Sequence, residues 1–271
     1  MISLKGGTIM GEYSSKVCVV TGAVSRVGRA LCTELLRQGA VVYMGDVSDA
    51  ALSQMADEFN RVHPGRAFSV PTDVSQAYDA QHLADVALQR KGRLDCLLLA
   101  ETAPCSVPIG QVMAESWRYA IDVNLMGVVN MVEAVLPAMR AQGHGRIALL
   151  LPLSGLLPAP FDSVCSATHA AARALMESLR YELWDEKIQC VSACLDGVFT
   201  PSFELGEDKP AEDAVAAVLR GIAENVPVII WPESAERQVE ACGPSTDERQ
   251  QCLIKDARQR KAGIRTKGAY M

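Results

Sequence analysis

From residue 16 onward the chain alternates short apolar runs with longer segments of helical periodicity, and no other feature limits its fold so tightly. "KVCVVTG" (16–22) is a β-branched run ending in a glycine turn. "RVGRALCTELLRQG" (26–39) then spaces its apolar residues at helical intervals before a closing glycine. Further strands are predicted at 40–46, 67–73, 94–101, 145–151, 188–197 and 226–232. Between them the periodicity predicts helices at 49–62 (Ser48 as N-cap), 81–92, 116–136, 164–185 and 211–225. Such alternation implies a parallel, doubly wound sheet with helices on both faces, a three-layer α/β/α single domain over 16–232. Strands apolar on both sides suit it, because a sheet of this kind is covered on both faces.

The flanks break the rhythm. Residues 1–15 read as an N-terminal extension; residues 1–9 match no element, whereas Met10 begins the run before the first strand and is the expected natural start. Residues 233–271 read as a charged tail, and its last part, 255–271, carries six Lys/Arg against Asp256 alone. That arm suits either an anionic partner or a solvated chain end.

Composition narrows the function. A net charge of −6 argues against a dedicated nucleic-acid or anionic-membrane binder. Apolar runs such as "IALLLPL" (147–153) are far shorter than a membrane span, and no apolar stretch follows a basic start as in a secretory signal. Nine cysteines without paired spacing read as reduced, mostly buried thiols, which makes the cytoplasm the expected compartment.

"VVTGAVSRVGRA" (19–30) follows a strand and opens a helix, where a phosphate-binding turn belongs. Glycines there let the backbone approach a pyrophosphate, and the helix N-terminus supplies N–H groups and positive potential. Asp46 ends the second strand, where a carboxylate can accept from ribose hydroxyls and repel a 2′-phosphate, or merely begin a turn. Thr21, Gly22 and Gly28 match the Thr-Gly-x-x-x-Gly-x-Gly turn of the short-chain dehydrogenase/reductase family, which the chain resembles over most of 16–232. "SWRYAIDVNLMGVVNMVEAVLPAM" (116–139) is similar to that family's long central helix, with Asn124 at its structural and catalytic asparagine.

The resemblance implies a Rossmann-like fold that binds a nicotinamide dinucleotide, NAD in preference to NADP because of Asp46. It assigns the cofactor to Gly22, Arg26, Val27, Gly28, Asp46, Asp73, Val74, Ala100 and Thr200. Asp73-Val74 matches the adenine contact, although Asp73 also reads as a turn-capping aspartate. Arg26 replaces the middle glycine; it can run along the diphosphate, narrow the site or point to solvent. Thr200, one residue nearer than the family's spacing, is the candidate for the nicotinamide carboxamide.

Carbonyl reduction in this family uses a serine to orient the carbonyl and a tyrosine to protonate the developing alkoxide. A lysine lowers the tyrosine's pKa and holds the nicotinamide ribose. Anchored on Gly145-Arg146-Ile147 and Gly155, those positions hold Pro152, Cys165 and His169, at unchanged spacing. Ser154 is two residues late and serves as the serine only in a slipped alignment. The family's Asn-Asn-Ala-Gly is Leu99-Ala100-Glu101-Thr102, and its Pro-Gly after the sixth strand is Asp196-Gly197. Each lost general-acid role costs about 10²–10⁴-fold, roughly 3–5 kcal/mol of barrier.

Cys165 and His169, four apart on a helix, share one face, within reach of a thiolate–imidazolium pair that Asp162 could assist. Both also read as ordinary packing residues, and a metal site from the three lacks a fourth ligand. His63, His82 and His144 carry no catalytic signal. Three functions fit: a pseudoenzyme that regulates or scaffolds, a cyclase, isomerase or lyase using the pocket to bind a small molecule, or an atypical oxidoreductase. Helices 116–139 and 164–185 resemble the family's dimer-forming pair. A homo-oligomer, dimer or tetramer, or a heteromer with an active relative is therefore expected.

Overall fold

The computed structural model describes residues 11–103, 107–199, 210–241 and 258. The described strands are β1 (Val17–Thr21), β2 (Val41–Asp46), β3 (Ala67–Pro71), β4 (Cys96–Leu99), β5 (Gly145–Pro152), β6 (Ile188–Leu195) and β7 (Val228–Trp231). They form one parallel sheet in the order β3-β2-β1-β4-β5-β6-β7. The helices are α1 (Arg26–Arg37), α2 (Asp49–Val62), α3 (Ala77–Lys91), α4 (Ala114–Ile121), α5 (Gly127–Gln142), α6 (Ser163–Glu182), α7 (Ala211–Ala223) and α8 (Glu233–Ala241).

Side-chain alternation along the strands builds two cores. Cys18, Val20, Val42, Met44 and Leu98 face one side, beneath α1, α2 and α7. Val17, Val19, Tyr43, Leu97 and Leu99 face the other, beneath α3, α5 and α6. Both sets are buried, as the apolar runs required. The chain leaves β1 toward β2 and leaves β4 toward β5, so the order reverses between these neighbours. Ligands of doubly wound sheets settle in the crevice at that reversal, beyond the carboxyl ends of the strands.

Several elements differ from the sequence expectation. The single helix expected from Ser116 is α4 and α5 joined by a π turn over Asp122–Met126. Together they run 29 residues, Ala114–Gln142, long and apolar enough by length and composition to cross a bilayer. Half of that apolar window is buried, with Val128, Met131, Val135 and Met139 in the core against the sheet and α3. Ser48 occupies the N-cap of α2 without a side-chain capping bond; the Asp46 Oδ1 accepts its N–H at 3.2 Å instead. Past Pro232 the chain forms one more helix, α8, anchored by the buried Ala235.

Candidate functional site

The crevice opens above Thr21. Gly22 takes φ +61°, and a Cβ there would lie 2.5 Å from the Glu101 nitrogen, so the β1 turn presses against the end of β4. At Gly28 a Cβ would stand 2.1 Å from the Gly22 carbonyl oxygen, which is why α1 can start flat against the turn. Ser25 caps α1, its Oγ accepting the Gly28 N–H at 3.0 Å. Val27 is buried beneath the turn in the core. Arg26 is exposed, and its guanidinium donates to the carbonyls of Gly197 at 3.0 Å and Val198 at 3.1 Å, tying the turn to the loop after β6.

Asp46 braces the same turn from β2, its Oδ2 accepting the Val24 N–H at 3.0 Å. Each carboxylate oxygen keeps a further lone pair for a ligand hydroxyl. Asp73 closes a local turn, accepting from the Ser75 N–H at 3.0 Å and its hydroxyl at 2.7 Å. Val74 packs on Gly127 of α5, and its carbonyl accepts from Asn130 at 2.9 Å. Ala100 is buried at the end of β4. Thr200 lies outside the described residues.

A second cluster sits above β5. Pro152 ends that strand, a 3₁₀ turn carries Leu153–Gly155, and Cys165 and His169 occupy the first turns of α6. Both are buried, at 2% and 1% exposure. The turn backs onto α6 closely enough that a Cβ on Gly155 would lie 2.7 Å from the His169 Cβ. His169 Nδ1 is 2.9 Å from the Cys165 carbonyl oxygen and 3.3 Å from its Sγ. A carbonyl only accepts, so Nδ1 carries the proton, and Nε2 offers its lone pair toward the Thr102 hydroxyl at 3.5 Å. Burial pushes the imidazole down to about 4, against the opposing bond to Cys165. A neutral ring makes no thiolate–imidazolium pair at neutral pH. Asp162 precedes α6 and its carbonyl accepts the Ser166 N–H at 2.8 Å.

Neither a phenol nor an ammonium stands in this cluster among the described residues. Tyr13 donates to the Leu219 carbonyl at 2.8 Å, and Tyr43 stacks on Phe68. Tyr78 stacks on His82, while Tyr119 and Tyr181 are exposed on α4 and α6. Lys16 pairs with Asp95, Lys91 lies over Phe68, and Lys187 precedes β6. No three metal-ligating side chains gather among the described residues.

Asn124, in the π turn, joins the two regions. Its Oδ1 accepts the Ala103 N–H at 2.7 Å and its Nδ2 donates to the Thr168 hydroxyl at 3.0 Å, tying the chain after β4 to α6. Thr102 and Thr168 therefore belong to the site, although nothing in their spacing announced them. Glu101 belongs to it as well. The Thr21 hydroxyl donates to its Oε2, while its Oε1 is buried without a partner among the described residues. Burial pushes this carboxyl up to about 7, the Thr21 bond and the backbone N–H groups of Glu101 and Ala100 pull it down, and Asp46 pushes it up. Its signal in the sequence was an acid closing the buried run "LDCLLLAE".

A family model described as short chain dehydrogenase matches residues 16–210. An uncharacterized oxidoreductase of Listeria monocytogenes is 30% identical over 208 residues, covering 76% of this chain and 84% of the relative. Another from Staphylococcus aureus is 28% identical over 79% of this chain and 94% of its own. Among solved structures, a short chain dehydrogenase/reductase of Burkholderia phymatum in complex with NAD is similar, with TM-score 0.77 and 25% identity. It covers 85% of this chain and 94% of its own. An alcohol dehydrogenase of Thermococcus sibiricus complexed with 5-hydroxy-NADP shares the fold at TM-score 0.71 and 22% identity, covering 80% and 95%. The matched span carries both the glycine turn and the Asn124 bridge, and the chain belongs to the short-chain dehydrogenase family of oxidoreductases.

Proposed function

We propose that this chain is a nicotinamide-dinucleotide-binding member of the family whose standard carbonyl reduction has been lost, a pseudoenzyme or non-redox derivative. One observation carries the reading: His169 is buried and neutral, bonded to its own helix, beside the thiol of Cys165. By the family's spacing these are the lysine and tyrosine positions, with Pro152 at the serine. A neutral imidazole cannot hold a ribose as an ammonium does, a thiol is a poor proton donor to an alkoxide, and proline has no side-chain donor.

The residues for the cofactor fit it. The approach of Gly22 and Gly28 leaves the turn open to a diphosphate at the N-terminus of α1. Asp46 has lone pairs for ribose hydroxyls, which favours NAD over NADP. A bound nicotinamide dinucleotide supplies a hydride; here the protein's residues supply binding and orientation, and no proton at the reacting oxygen. The NAD held by the Burkholderia relative supports the same cradle.

A second reading, a cyclase, isomerase or lyase, is favoured by the Ser154 hydroxyl, buried beside α6 without a partner among the described residues, and by Thr102 facing Nε2 of His169. The outer faces of α4–α5 and α6 support a homo-oligomer, or a heteromer with an active relative. The test is calorimetric titration with NAD⁺ and NADH, followed by incubation with panels of alcohols, carbonyls and metabolites. Binding without dinucleotide turnover is the expected outcome. Alcohol oxidation with dinucleotide consumed in step overturns the proposal, and a metabolite converted without dinucleotide turnover selects the second reading.

A further inference from the structure

The Glu101 carboxyl occupies the crevice where the strand order reverses, at the shared edge of β1 and β4. The groups facing it are the Thr21 hydroxyl on β1, the Asp46 carboxylate at the end of β2, and the backbone N–H groups of Ala100 and Glu101 itself. Arg26, at the start of α1, donates to the carbonyls of Gly197 and Val198. Thr21 satisfies Oε2, and the buried Oε1 has no donor among the described residues. Ionised, this carboxylate keeps one oxygen buried without a donor, whereas a carboxylic acid with its hydrogen on Oε1 buries no charge.

From this geometry we propose that Glu101 determines dinucleotide binding through its charge: as a neutral acid it admits the diphosphate to the Gly22 turn, and as a carboxylate it repels it. The inference rests on the dinucleotide reading above and adds a residue and a condition to it. Its physical basis is that Gly22 touches the Glu101 backbone, so a diphosphate seated on that turn meets a second negative charge beside Asp46 once Glu101 ionises. Burial pushes the carboxyl up to about 7, so ionisation falls within the accessible range.

Calorimetric titrations of NADH into the full chain and into Glu101→Gln, at pH 6 and pH 8, test it. For the native chain the competent fraction falls with ionisation, and the dissociation constant should rise roughly tenfold between those pH values. Titration at pH 8 in two buffers of different ionisation enthalpy should show uptake of nearly one proton per NADH bound. Glu101→Gln should bind with little pH dependence and take up none. Equal pH slopes in the two proteins, or binding by the native chain without proton uptake, overturn the proposal while leaving the cofactor reading intact. Absence of binding by either protein at both pH values refutes the dinucleotide reading, and this inference with it. Should Glu101→Gln fail to fold, the proton uptake of the native chain still decides the matter.

Discussion

An imidazole buried as deeply as His169 has to stay neutral, and that obligation is measurable. The unfolded chain protonates this ring near its ordinary 6.5, whereas the folded chain holds it down to about 4. Between those values the unfolded state binds more protons, so folding stability rises with pH through the window and is lost as pH falls through it. The full effect is on the order of 3 kcal/mol between pH 7 and pH 4. Glu101 works in the opposite sense: its raised folded value makes stability fall as pH rises from 4.5 to about 7. The two partly cancel in the native chain, and the histidine contribution emerges from a comparison with His169→Gln. Urea melts at pH 7 and pH 4.5 should show the native chain losing more stability on acidification than the variant. Equal losses would mean that this ring is accessible and protonates freely.

At the scale of elements, the π turn between α4 and α5 matters because it aims Asn124 inward. Asn124→Ala leaves the buried Ala103 N–H and the Thr168 hydroxyl without that partner, at a cost of about 2–4 kcal/mol in urea denaturation. A loss below about 0.5 kcal/mol would show that water replaces the amide. The π turn was illegible in the sequence because helical periodicity continues on both sides of the insertion. The strands were legible, since their apolar runs are buried on both faces, and so was the Gly22–Gly28 turn, whose glycines stand where backbone meets backbone. What escaped depends on neighbours distant in sequence. Arg26 closes on carbonyls about 170 residues later, and the protonation of His169 is decided by burial rather than by its spacing from Cys165. Glu101 read only as a departure from a pattern, because the unpartnered oxygen that gives it meaning exists only once β1 and β4 pair. Helix α8 carries few apolar anchors beyond Ala235 and Val239, too few to stand out from a charged tail.

At the scale of the molecule, large apolar side chains stand exposed on α4, the π turn and the end of α6. Tyr119, Ile121 and Met126 line α4 and the π turn, Tyr181 lies in the last turn of α6, and Trp184 follows that helix with 78% of its surface in solvent. Scattered apolar residues are ordinary on a protein surface, but bulky side chains exposed on α4 and at the end of α6 offer area that a self-complementary interface would bury. The chain should therefore sediment as a dimer or larger species at micromolar concentration. At a two-fold interface each substitution is felt twice. Tyr119→Glu or Trp184→Glu should then remove about 3–6 kcal/mol of association, weakening the dissociation constant roughly 10²–10⁴-fold. Analytical ultracentrifugation of both variants distinguishes the two helices: dissociation by one substitution alone assigns the interface to that helix. A monomeric native chain removes the homo-oligomer and leaves the heteromer, whose active subunit should co-purify from the native host. The proposed pseudoenzyme role gives that outcome physical sense, because a subunit that binds dinucleotide and converts nothing acts through another chain's equilibrium.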